Sequence, residues 1–308
     1  MKKQRLDLHL YTNEYCNIHC KHCYNDSGDA RFKKEIPLEN INSIIQELYE
    51  AYDLDIHIEG GEIFLRPKIF NTLAILDKEI LQCMTITSNG TIFMDTPDVQ
   101  YVLKHIENFR ISVEGHTNEL NSVLRDCDVL KVLNNAEKYQ KMGANIVLRI
   151  TLHRGNIQTL IRDTLPALAN RGFHNFQIYE LQSVGRGDGL DYCIREEKDF
   201  NDFIDTLIEY LPTRMNVKLM FNKSRVKSIN LRKNELIKAE IQVEEIEPNL
   251  SLSIKSDGGV NICPWDTFGD VLFNIHHENN LVKRLNQFNL LHDCEHCSKI
   301  KMKVGKTC

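Results

Sequence analysis

No apolar stretch in this chain approaches the roughly 18 residues a membrane span requires, and no run of lysine and arginine is long enough to form a basic stripe. The N-terminus, Met-Lys-Lys-Gln-Arg-Leu-Asp, carries basic residues but no apolar segment behind them, so no signal peptide is expected there. There is no low-complexity linker and no internal repeat. The formal net charge of −5 argues against nucleic acid as the main partner. A cytoplasmic protein is expected, contacting neither nucleic acid nor membrane. In that compartment disulfides are rare, yet there are ten cysteines among 308 residues. Seven of them gather at the two ends, as Cys16, Cys20 and Cys23 and as Cys263, Cys294, Cys297 and Cys308. Clustering of that kind points to metal, not to staples.

Between the clusters the pattern alternates. Leu6 to Tyr11 reads as a strand, and Pro37 to Tyr49 as a helix with proline at its start. Strands at Leu54–Glu59, Met84–Ser88, Phe109–Val113, Asn145–His153 and Phe176–Leu181 follow, separated by helices near 67–81, 98–108, 128–142 and 157–170. A last helix is expected over 197–211. Six strand–helix units with short connections predict an α/β fold, a partial (β/α)6 TIM-like barrel with its chemistry at the C-terminal ends of the strands. Beyond about residue 212 the rhythm changes. Val217–Phe221 is a possible strand, Leu250 to Cys263 reads as a hairpin around Asp257-Gly258-Gly259, and a short helix is expected near 281–287. The expected division is a barrel over 1–211 and a small cysteine-bearing domain over 212–308.

The nine residues Cys16-Asn-Ile-His-Cys20-Lys-His-Cys23-Tyr24 follow the first strand at the spacing C-x3-C-x2-C. Three thiolates can hold three irons of a [4Fe–4S] cube and leave the fourth without a protein ligand, and an open metal position suits catalysis. The alternative is a zinc site with His19 or His22 as fourth ligand. Gly60-Gly61-Glu62 ends the second strand, where glycines permit close approach of backbone to a ligand and a carboxylate can accept from an ammonium group.

These residues, in this order, resemble the radical S-adenosylmethionine (radical SAM) enzymes. The resemblance implies that Cys16, Cys20 and Cys23 hold the cluster and that its open iron chelates S-adenosylmethionine (SAM). Reductive cleavage of SAM then yields a 5′-deoxyadenosyl radical that takes hydrogen from a substrate. By place in the barrel it also implies cofactor contacts from Tyr24, Gly60, Gly61, Glu62, Ser88, Asn89, Ser112 and Glu114, from Arg149 as partner of the SAM carboxylate, and from Leu181 in the Glu180–Gly187 segment beside adenine. His22 stands where the family usually has an aromatic residue. Gly258-x4-Cys263, with Cys294-x2-Cys297 and Cys308, resembles a shortened SPASM (twitch-like) extension. That resemblance implies an auxiliary [4Fe–4S] cluster, with an all-thiolate zinc site as the alternative.

Such extensions accompany modification of peptides, which makes a ribosomally made peptide the expected substrate and a flavodoxin or ferredoxin the expected electron donor. The first strand begins within ten residues of Met1, so no leader-recognition domain is expected ahead of it. Cys193, just past Gly185-Arg-Gly187, is the candidate hydrogen-atom donor, because an S–H bond is weaker than most C–H bonds; Cys127 is the other. Peptide epimerisation from L to D is the favoured reading. Thioether or carbon–carbon cross-linking, dehydrogenation of a peptide or small molecule, and a non-catalytic metal-binding scaffold are its alternatives.

Overall fold

In the computed structural model, residues 3–28, 34–210, 215–246, 249–265, 271–278, 280–291 and 298–304 are described. Seven parallel strands run in chain order: β1 (Arg5–Tyr11), β2 (Asp53–Glu59), β3 (Met84–Ser88), β4 (Asn108–Ser112), β5 (Ile146–Leu152), β6 (Asn175–Glu180) and β7 (Asn216–Asn222). Their helices are α1 (Leu38–Ala51), α2 (Lys68–Leu73), α3 (Lys78–Leu81), α4 (Pro97–His105), α5 (Asn118–Asn121), α6 (Val129–Lys141), α7 (Leu165–Asn170) and α8 (Glu197–Tyr210). The remaining elements are α9 (Val226–Leu231), α10 (Lys233–Lys238), β8 (Gln242–Glu245), β9 (Leu250–Ile254), β10 (Gly259–Asn261), β11 (Phe273–Asn274), α11 (Leu281–Leu285) and β12 (Ser298–Val304).

The sheet holds together because each strand splits its residues between two environments. On β1, Leu6, Leu8 and Leu10 are fully buried with Ile41, Ile45 and Leu48 of α1 in one apolar core. The alternating Asp7, His9 and Tyr11 line the barrel lumen. β2 repeats the pattern in register, pairing Leu8 with Ile56 and His9 with His57. The period of two therefore separates an apolar outer face under the helices from a polar inner one.

Two expected helices come out divided. The stretch 67–81 breaks between α2 and α3, where Asp77 adopts extended backbone at φ −59°, ψ 147° and a new helix starts. The stretch 157–170 opens with wide π turns over Leu160–Thr164 before α7. Pro166 lies at the start of α7, where its missing amide cannot close an ordinary turn.

Residues beyond 212 attach to both edges of the same sheet, whose order is β11-β10-β9-β1-β2-β3-β4-β5-β6-β7-β12-β8. β7 is parallel to β6. β12 lies antiparallel on β7, β8 lies on β12, and the expected hairpin is present as β9–β10, with β9 parallel to β1. The division proposed at 211/212 thus follows chain order and chemistry and does not interrupt the sheet.

Candidate active site

The cysteine loop leaves β1 and folds over the C-terminal ends of the strands. Its backbone is tied on several sides: the Cys16 amide donates to the Gly28 carbonyl at 3.0 Å, the Lys21 amide to Leu124 at 2.8 Å, and the Arg186 Nε to Cys20 at 2.8 Å. Gly60 and Gly61 are required here by the loop itself. A Cβ on Gly61 would lie 1.9 Å from the Tyr15 carbonyl oxygen, and one on Gly60 2.5 Å from that of Asn13. Gly185 does the same from the other side, where a Cβ would lie 2.2 Å from the Tyr24 carbonyl.

Donors are aimed at the sulfurs. Arg125 Nη1 lies 3.3 Å from Cys20 Sγ, and Asn89 Nδ2 lies 3.5 Å from Cys16 Sγ. Arg125 also pairs with Glu114 at 2.9 Å, and His22 Nε2 meets the same carboxylate at 3.2 Å. The Thr151 amide donates to the other Glu114 oxygen at 2.8 Å. Burial would raise the Glu114 carboxyl, but His22, Arg125 and that amide hold it at about 2. Burial pushes the Cys20 thiol up to about 11 despite Arg125 beside it, so loading metal on this sulfur must displace a proton.

Under the loop lies a cavity of about 130 Å³. Cys16, Cys20, Cys23, Tyr24, Gly60, Gly61, Ser88, Asn89, Ser112, Glu114, Arg149 and Leu181 all line it, so most of the positions singled out in the sequence meet at one place. Glu62 does not. Its oxygens point into the protein, accepting from Ser88 Oγ at 2.8 Å and from the Asn89 and Phe64 amides at 2.7 and 3.1 Å. There it fixes the end of β3 instead of facing the cavity. Cys193 and Cys127 line neither this cavity nor the chamber beneath it. Cys263 is half-buried, two residues before Trp265, which lines the cavity and packs on Tyr24 with ring centroids 5.1 Å apart. Cys294, Cys297 and Cys308 lie outside the described residues.

Several lining residues carried no signal in the sequence. Arg125, Glu59, Thr87, Tyr179 and Trp265 belong to no local motif, and only the closed barrel brings them together. The cavity also presents unmatched polar groups. Thr87 Oγ1 is buried without a hydrogen-bond partner, and the Arg149 guanidinium stacks 4.9 Å from the Tyr179 ring with no ion pair among the described residues. A ligand carrying a carboxylate and hydroxyl groups would satisfy them.

These observations also test the metal. Both His22 ring nitrogens face protein partners, Glu114 and the Leu124 carbonyl. No three His, Cys, Asp or Glu side chains among the described residues converge as a single ion requires. Three thiolates flanked by N–H donors, beside a cavity with open polar groups, fit an iron–sulfur cluster with an exchangeable position better than zinc.

A partial α/β barrel with a three-cysteine loop over its strand ends defines a class, and the chain belongs to it: residues 10–165 match the radical SAM superfamily. Members use SAM and a [4Fe–4S] cluster. The chain is 26% identical over 180 residues to the sporulation killing factor maturation protein SkfB of Bacillus subtilis (strain 168), covering 58% of this chain and 43% of that protein. It is equally 26% identical over 199 residues to the Fe-coproporphyrin III synthase of Methanosarcina barkeri (strain Fusaro / DSM 804), covering 61% and 48%. The chain spans about half the length of the curated relatives it matches. Among solved structures, Streptococcus suis SuiB bound to precursor peptide SuiA superposes with a TM-score of 0.71 at 17% identity, over 91% of this chain and 64% of that one. The structure titled native anSMEcpe with bound AdoMet gives 0.66 at 18% identity, over 91% and 80%. At these identities the likeness is one of fold.

Proposed function

We propose that this chain is a radical SAM enzyme that abstracts a hydrogen atom from a residue of a peptide. The observation that carries it is that the SAM cavity adjoins a larger chamber in the barrel lumen: Tyr24, Glu59, Arg149, Tyr179 and Trp265 line both. SAM bound at the open iron supplies the radical; the chain's own residues hold, orient and shield. Arg149 takes the SAM carboxylate, Ser112 and Thr87 lie within the cavity wall for its hydroxyls, and the Tyr24–Trp265 pair screens one side from water. Cys263, Cys294, Cys297 and Cys308 hold a second cluster, and a flavodoxin or ferredoxin supplies electrons.

A peptide substrate is supported by two similar proteins, SkfB, a killing-factor maturation protein, and SuiB, solved in complex with its precursor peptide. The equal similarity to a porphyrin enzyme favours, as second reading, a small molecule. Epimerisation is the specific reaction we put forward, with cross-linking or dehydrogenation as competitors. Product mass in deuterated solvent separates them, with a short peptide encoded beside the gene as substrate. Epimerisation adds one deuterium at the inverted centre, whereas a cross-link or dehydrogenation removes two hydrogens. Cys193 lines neither cavity, so Cys193→Ala tests its donor role directly: SAM cleavage kept with no D-residue formed would assign it the hydrogen donation. Unchanged epimerisation in that variant removes Cys193 from the mechanism.

A further inference from the structure

Below the SAM cavity, the lumen chamber of about 390 Å³ is walled by many charged and polar side chains, with Met220, Ile246, Pro264 and Trp265 among them. Each of its five carboxylates has at least one partner, although the buried Asp7 Oδ1 makes no hydrogen bond. Asp7 accepts from Asn249 at 2.9 Å, Asp55 from Arg5 at 2.9 Å, and Glu59 meets His9 at 3.1 Å. Glu244 pairs with Lys301 at 2.9 Å, and Glu245 accepts from Asn230 at 3.1 Å. The cations are not matched in the same way. Arg110 on β4 and Lys218 on β7 line the chamber and form no ion pair with a carboxylate among the described residues. The chamber wall carries six lysines and arginines, Arg149 among them, against five carboxylates, a surplus of one.

Arg110 shows where that surplus points. It is only 9% exposed, and its Nη1 donates to His57 Nδ1 at 3.2 Å. Its buried Nε has no hydrogen-bond partner. What remains is the Nε–Nη2 edge of the guanidinium, two parallel donors in one plane, the geometry that grips a carboxylate with both oxygens. Lys218 reaches the same chamber one strand beyond Gln177, its register partner on β6. Burial lowers its pKa, with Lys301 and Arg110 acting the same way. For the buried Arg110, a cation without a counter-ion is costly, and an anionic ligand would remove that cost.

We infer that Arg110 and Lys218 form a carboxylate-binding subsite in the lumen, which selects substrates carrying an acidic group beside the position attacked. This deepens the reading of the chain as a radical enzyme and rests on it. The carboxylate can be borne by a peptide, as a glutamate or aspartate side chain, or by a free small molecule. In either case it docks below the radical and holds the substrate against the wall shared by the two cavities.

Binding to the anaerobically reconstituted protein with SAM and no reductant tests the subsite without turnover. The probes are N-acetyl-Ala-Glu-Ala-amide, its Gln and Lys counterparts, glutarate and inorganic phosphate, measured by calorimetry. The Glu peptide should bind at least tenfold tighter than the Gln peptide, and R110Q and K218Q should each remove most of that preference. K218Q alters a side chain open to the chamber, and a thermal melt verifies that each variant is folded. Glutarate weaker than the Glu peptide supports the subsite with a peptide-borne carboxylate; glutarate as tight supports it with a free one. Equal affinity for Glu and Gln peptides, preference for the Lys peptide, phosphate binding tighter than either carboxylate, or an undiminished Glu preference in folded K218Q would each overturn it. Release of 5′-deoxyadenosine by the wild-type protein under dithionite is read separately. Its absence alongside a Glu preference rejects the radical chemistry and keeps the subsite, and the opposite pair of results does the reverse.

Discussion

Arg125 is the residue on which the electrostatics of the site turn. It is 9% exposed, touches the Cys20 sulfur and pairs with a carboxylate that is itself fully buried. A cation hydrogen-bonded to a thiolate stabilises the reduced, more negative cluster and raises its potential. Arg125→Gln should therefore lower the midpoint potential of the SAM-binding cluster in an EPR-monitored redox titration, with Arg125→Lys in between. An unchanged midpoint with full iron content would show that the contact is only structural. Nothing in the sequence marked this arginine, which lies 105 residues from Cys20. The cysteines were legible because their spacing is local, whereas Arg125 depends on how the chain closes. Glu62 is the converse: its local motif was legible, but its side chain turns inward to Ser88 and the Asn89 amide. His57 gives a second test at this scale. Burial, with His9 and Arg110 beside it, lowers its pKa from 6.5 to about 3. Between those values the unfolded chain binds a proton that the native one does not, so stability present above pH 6.5 is lost as the pH falls toward 3. In His57→Gln the melting temperature should fall less steeply over that window; an identical acid slope would contradict the assignment.

The elements were the most legible level, because the period of two in β1 to β6 and the helical period of α1, α4, α6 and α8 arise from burial on one face. The divisions at Asp77 and before Pro166 were not legible, since backbone competition there is decided by a few residues within otherwise periodic stretches. The Gly60-Gly61 pair was legible as a place of close approach, but what approaches is the Tyr15 and Asn13 backbone of the cysteine loop. Gly61→Ala should thus displace the loop and destabilise the fold by about 2 kcal/mol or more. Denaturant unfolding measures the second effect and iron retention the first. A variant that keeps both its midpoint and its iron would show that the loop can move aside.

At the scale of the molecule, the described strands beyond residue 212 lie on both edges of the barrel sheet. Sheet edges are unpaired hydrogen-bonding surfaces, and β9 covers that of β1 while β12 covers that of β7. Pairings between β1 and β9 span more than two hundred residues, beyond the reach of any local pattern. One consequence is functional. The Tyr11 hydroxyl donates to the Pro264 carbonyl at 3.1 Å, and Trp265 lines both cavities, so the segment after β10 forms part of the wall around both. The central claim is that Cys16, Cys20 and Cys23 hold the cluster at which SAM is cleaved. Its most direct test is the formation of 5′-deoxyadenosine and methionine by the anaerobically reconstituted protein with SAM and dithionite. The wild-type protein should form both and Cys20→Ala neither. Failure of the iron-loaded wild-type protein to cleave SAM would contradict the claim.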